Sequence, residues 1–160
     1  VEALLAGGLA DNSDSAKESV NRVLESGKAL EVFEKMVHTL GGPHDLIERM
    51  EDYLPQAEVI KPVLAQQNGY ITQIHARDLG NAVVSLGGGR LTSTDKLDYS
   101  VGISEIAELG AAVEKGQPLA VVHAANESDW QRAANQVIDT IKIDSQKPQL
   151  TEVIYASLQE

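Results

Sequence analysis

The chain has 160 residues, 24 acidic side chains against 13 basic ones for a formal charge of −11, and no cysteine. That length suits one domain or a domain with an appendage, and the absence of thiols excludes a disulfide scaffold and any thiolate metal site. Basic residues scattered through an acid excess argue against a nucleic-acid partner, which needs clustered Lys and Arg to neutralise phosphates. No apolar run approaches the ~20 residues that span a bilayer, so no membrane partner is expected and a cytoplasmic location is the simplest expectation. Val1-Glu2-Ala3-Leu4-Leu5 reads as the middle of an amphipathic helix without the features of a signal peptide. The expectation is a piece of a longer protein.

Residues 1 to 54 read as helices. Ala16, Val20, Val23 and Leu24 recur at helical spacing behind the capping-box pattern Ser15-x-x-Glu18, and Gly27 is expected to end that helix. A second helix places Leu30, Phe33, Met36, Val37 and Leu40 on one face and stops at Gly41-Gly42. A third starts with Pro43 in its first turn, carries Leu46, Ile47, Met50, Tyr53 and Leu54, and ends at Pro55. Each apolar stripe requires a partner.

Ala57 to Ala65 and Tyr70 to His75 then read as strands, and Asn68-Gly69 between them predicts a hairpin. Pro62 cannot donate to a ladder, so the first strand is expected at an edge or with a bulge. Ala76 to Leu86 returns to helix, with Leu79, Ala82, Val83 and Leu86 inward and the glycines ending it. Strands are expected around Tyr99 to Ile103, Pro118 to Ala124 and Thr151 to Tyr155. Asn126 should cap a helix that buries Trp130, Ala133, Ala134, Val137 and Ile141. The order β-β-α-β-β-α-β defines an α+β domain on a mostly antiparallel sheet.

Little of this carries chemistry by itself. His38, His44, His75 and His123 lie apart without metal-ligand spacing. Gly102-Ile103-Ser104-Glu105 lacks the second glycine of a nucleophile elbow. Catalytic, substrate-binding and metal residues are therefore expected to be none. Gly87-Gly88-Gly89-Arg90 is the exception in cost, since each glycine loses much backbone freedom on folding. The run suits left-handed torsions or close backbone approach. It follows a helix instead of opening one, which disfavours a phosphate cradle. A helix cap feeding a mobile loop, and a loop closing over a neighbouring domain, are the two compatible alternatives. Asp95-Lys96 has the residue types of a lipoyl attachment site, but the polar stretch from Gly87 to Ser93 does not read as a strand leading to a hairpin tip.

The order Leu86-Gly87-Gly88-Gly89-Arg90, Asp98-Tyr99-Ser100-Val101-Gly102 and Gly116-Gln117-Pro118-Leu119 resembles the C-terminal domain of the thymidine phosphorylase and pyrimidine nucleoside phosphorylase family. The beginning is similar too, in Leu5-Ala6-Gly7-Gly8-Leu9-Ala10, Ser26-Gly27-Lys28-Ala29, Phe33-Glu34-Lys35-Met36-Val37 and Gly41-Gly42-Pro43-His44-Asp45, with Pro43 an insertion against the family pattern. The resemblance implies that residues 1–55 are the terminal helices of an α/β catalytic domain. Residues 56–160 would be a C-terminal domain of hammerhead, barrel-sandwich-like type. It implies a pentosyltransferase that cleaves pyrimidine nucleosides with inorganic phosphate as co-substrate and no cofactor. The implied partners are the upstream catalytic and helical domains of the same chain and a second subunit. The phosphate and base ligands would lie upstream, leaving Gly87, Gly88, Gly89 and Arg90 as a closure loop and this chain alone inactive. The alternative is a free-standing barrel-sandwich binding module or lipoyl- or biotinyl-like carrier.

Overall fold

The computed structural model describes residues 1–151, 153, 154 and 156. It divides the chain into two compact units, Val1–Tyr53 and Leu54–Glu160. The first is helical: α1 (Glu2–Ala6), α2 (Ser13–Glu25), α3 (Lys28–Thr39) and a single turn, α4 (Met50–Tyr53).

The residue that starts α2 is Asn12, not Ser15. The Asn12 Oδ1 accepts from the Asp14 and Ser15 N–H groups at 3.1 and 3.0 Å, and the Asn12 N–H donates back to the Ser15 hydroxyl at 3.3 Å. Ser15 is thus the third helical residue and supplies the return bond of the capping box. Gly27 does end α2: its φ of +77° reverses the chain directly into α3. The helix expected from Pro43 to Leu54 forms only in its last turn, and residues 44–49 are turns. A side-chain tie closes these turns. The Tyr53 hydroxyl donates to Asp45 at 2.8 Å, whereas eight residues of α-helix would set them about 12 Å apart along the axis.

The second unit contains β1 (Val59–Leu64), β2 (Gly69–Ile74), α5 (Ala76–Val83), β3 (Gly102–Ser104), β4 (Ala112–Val113), β5 (Pro118–Ala124), α6 (Glu127–Thr140) and β6 (Ile141–Asp144). Every pairing is antiparallel, as the sequence implied, but there are two small sheets, ordered β1-β5-β3 and β4-β2-β6. β1 is an edge strand, a position that tolerates Pro62, and its register with β5 shifts between Val63 and Leu64.

The predicted hairpin does not form, because β1 and β2 belong to different sheets. Asn68-Gly69 is a crossover, and its side chains are committed elsewhere. The Asn68 Oδ1 accepts from the Lys115 N–H at 2.7 Å, and Gln67 Nε2 donates to the Ile143 carbonyl at 2.6 Å. A Cβ on Gly69 would lie 2.5 Å from the Asp144 carbonyl oxygen, so glycine serves close strand approach here.

Ile71, Leu119, Val122, Val137 and Val63 are the largest fully buried side chains, and they draw on both sheets and α6. Each contributes roughly 1.5–3 kcal/mol on removal from water. Asn126 caps α6 as expected, accepting from the Asp129 N–H at 3.0 Å. Ala133, Ala134 and Val137 of that helix are buried and Trp130 half-buried, while buried Ile141 begins β6. The strand expected over Thr151 to Tyr155 includes residues outside those described. Thr151, Val153 and Ile154 are described and belong to no strand.

Candidate functional site

The glycine run ends α5 through a π-helical turn, Val84–Gly88, instead of continuing as helix to Leu86. Three glycines do three local jobs. Gly87 has φ +102°, which a side chain would strain. A Cβ on Gly88 would lie 2.9 Å from Val83 Cγ1, and one on Gly89 would lie 2.5 Å from Val84 Cγ2. The left-handed torsion and the close approach read from the sequence are therefore both present, at adjacent residues.

Beyond Gly89 the chain runs without helix or strand until Gly102. This loop is closed by its own side chains. The Leu91 and Thr92 N–H groups donate to Asp95 Oδ2 at 3.0 and 2.8 Å, and the Thr92 hydroxyl donates to Asp95 Oδ1 at 2.6 Å. Asp98 accepts from the Ser100 N–H and hydroxyl, while its own N–H donates to the Gly87 carbonyl at 3.0 Å. The Thr92 hydroxyl, and next its N–H, hold the Asp95 carboxyl below its ordinary value; the Ser100 hydroxyl does the same for Asp98. Arg90 is exposed and belongs to no ion pair among the described residues. Beside it Leu91 is 82% exposed, and Tyr99 near the other end of the loop is 78% exposed. The loop thus holds a cation and two apolar side chains in solvent on an ordered frame. Lys96 sits in this irregular segment and not between two strands, which removes the geometry a carrier lysine needs.

One pairing escaped the sequence reading. Ser104 Oγ lies 2.8 Å from His123 Nε2, across the β3–β5 ladder. Their spacing of nineteen residues carries no local signal, and only the register, with Gly102 opposite His123, brings them together. Among the described residues no further group orients the imidazole, so the pair lacks the third member of a nucleophilic triad. His38 and His44 meet edge to face with ring centres 6.5 Å apart. No group of three His, Cys, Asp or Glu among the described residues is placed to hold a metal ion. A cavity of about 220 Å³ near β6, lined by Gln67, Leu119, Ile138, Ile141 and Lys142, has no carboxylate or imidazole in its wall. No helix among the described residues is long and apolar enough to cross a membrane.

Two small antiparallel sheets, two helices and a glycine-rooted loop define an α+β domain. Residues 70–144 match the family model described as pyrimidine nucleoside phosphorylase C-terminal domain. The match runs from β2 to the end of β6 and includes the glycine turn and the whole loop.

Proposed function

We propose that the chain is the C-terminal part of a thymidine (pyrimidine nucleoside) phosphorylase, a cytoplasmic, homodimeric pentosyltransferase in nucleoside salvage. In this reading residues 56–160 are the C-terminal domain and residues 1–55 are the last helices of the catalytic domain. A phosphate oxygen bonds to the anomeric carbon as the carbon–nitrogen bond to the base breaks. Free base and a ribose or deoxyribose 1-phosphate result, with no cofactor. Water competes for the same carbon, so a cleft that closes before reaction favours phosphorolysis over hydrolysis. This chain contributes one jaw and no catalytic group.

The observation that carries the reading is the family match across residues 70–144. The loop supports it: Arg90, Leu91 and Tyr99 are exposed on a hydrogen-bonded frame. A guanidinium suits carboxylate or phosphate in a planar, two-point contact. In the enzyme joined to its upstream domains, Arg90→Ala should lower kcat with little change in Tm. A large fall in Tm with kcat unchanged makes Arg90 structural and overturns the closure role. The chain alone should show no phosphorolysis of thymidine or uridine above a mock preparation, and clear turnover by it would refute the assignment of all ligands to upstream domains.

A further inference from the structure

We infer that Arg132 is a positioning residue for the loop, a latch from α6 that fixes the turn on which the loop is rooted. A helix end leaves carbonyl groups without intrahelical partners. Arg132 Nη2 donates to one of them, the Ser85 carbonyl inside the π-helical turn, at 2.9 Å. The same nitrogen lies 2.8 Å from Asp129 Oδ1, and Asp129 Oδ2 in turn accepts from Asn126 Nδ2 at 2.8 Å. The cap of α6 therefore orients Asp129, Asp129 orients Arg132, and Arg132 reaches the turn. A second tie runs beside it, since the Ser85 hydroxyl lies 3.1 Å from Gln136 Oε1. Residues 129, 132 and 136 share one face of α6, and α6 packs against both α5 and the turn.

π-helical turns in α-helices mark strained or functional positions. Here the turn contains Gly87 in a left-handed torsion and is followed by Gly89 in extended backbone. The Asp98 N–H donates to the Gly87 carbonyl at 3.0 Å, so the frame from Leu91 to Ser100 rests on this turn, and Arg132 holds the turn from α6. Such a latch operates whether or not the loop closes on a catalytic cleft.

The test is backbone amide exchange on this chain. Arg132→Met keeps the apolar stem and removes the donor. It should raise exchange at residues 87–101 about tenfold or more, the size expected from one hydrogen bond to a charged group, while amides of β1, β5 and α6 keep their rates. Arg132→Lys, which retains a charge and a donor, should restore most of the protection. Gln136→Leu should give a smaller rise in the same amides, which keeps the idea testable if the Met variant does not fold. Unchanged exchange at residues 87–101 in Arg132→Met overturns the latch. So does an equal rise throughout the unit, or a Lys variant no better than Met.

Discussion

At Gly87, Gly88 and Gly89 identical residues answer different demands. A Cβ at Gly87 meets only Asp98 Cβ at 3.8 Å, so space is free there and the torsion of +102° is what excludes other residues. Gly87→Ala should cost roughly 1–2 kcal/mol, the penalty of a left-handed torsion for an L-residue. Gly89→Ala meets Val84 side chain and backbone at 2.5–3.2 Å, and overpacking of that kind costs typically 1–3 kcal/mol. Thermal or urea unfolding measures both. If Gly89→Ala combined with Val84→Ala regains most of the loss, the contact with Val84 is the cause. If it regains none, the backbone conformation is. In the sequence the run signals unusual backbone, and it cannot assign torsion to one glycine and contact to another. The Ser104–His123 link was hidden for a related reason, because it depends on register between two strands and not on residue type.

Among the elements, the ones that can be read from local sequence are those whose ends are chemically marked. Asn126 opens α6, Gly27 closes α2, and Pro62 predicts an edge strand. Elements set by distant contacts read wrongly. Asn68-Gly69 has the local chemistry of a hairpin, but Lys115 and Ile143 bind Asn68 and Gln67 and draw the chain from one sheet to the other. β4 has two residues, too few for any period-two pattern, and exists because Gly69 and Tyr70 pair with it.

The loop between Gly89 and Gly102 is an element held by carboxylates, so its order depends on pH. Asp95 sits below its ordinary value of 3.8 because the Thr92 hydroxyl and then the Thr92 N–H bind the ionised form. The sign follows from linkage. A depressed acid stabilises the ordered loop at pH above the unfolded value and loses that contribution as pH falls through the folded one. The Leu91 and Thr92 amide resonances should therefore titrate together with a midpoint below 3.8. A midpoint above 3.8 would show that Asp95 is not the acceptor holding them.

Across the whole molecule the two units differ in what they bury. The unit Leu54–Glu160 closes both sheets and α6 over Ile71, Leu119, Val122 and Val137, each at most 2% exposed. In Val1–Tyr53 the one buried residue is Ala16, while Leu40, Val32 and Leu24 are 80, 68 and 63% exposed. α2 is capped by Asn12 and Ser15 and α3 starts at Gly27 without a side-chain cap, and helices of 13 and 12 residues are marginal in water without a packed apolar face. Local stability follows buried contacts. Amides of β1, β2, β5 and α6 should thus exchange at the rate of global unfolding, and those of α2 and α3 faster by orders of magnitude. Ile71→Ala, expected to cost about 2–5 kcal/mol, should accelerate exchange in the second unit and leave α2 and α3 unchanged. Equal protection of both units in the unmodified chain would mean that the helices find their stability within this chain. Their exposed apolar stripes would then no longer argue for a catalytic domain that covers them.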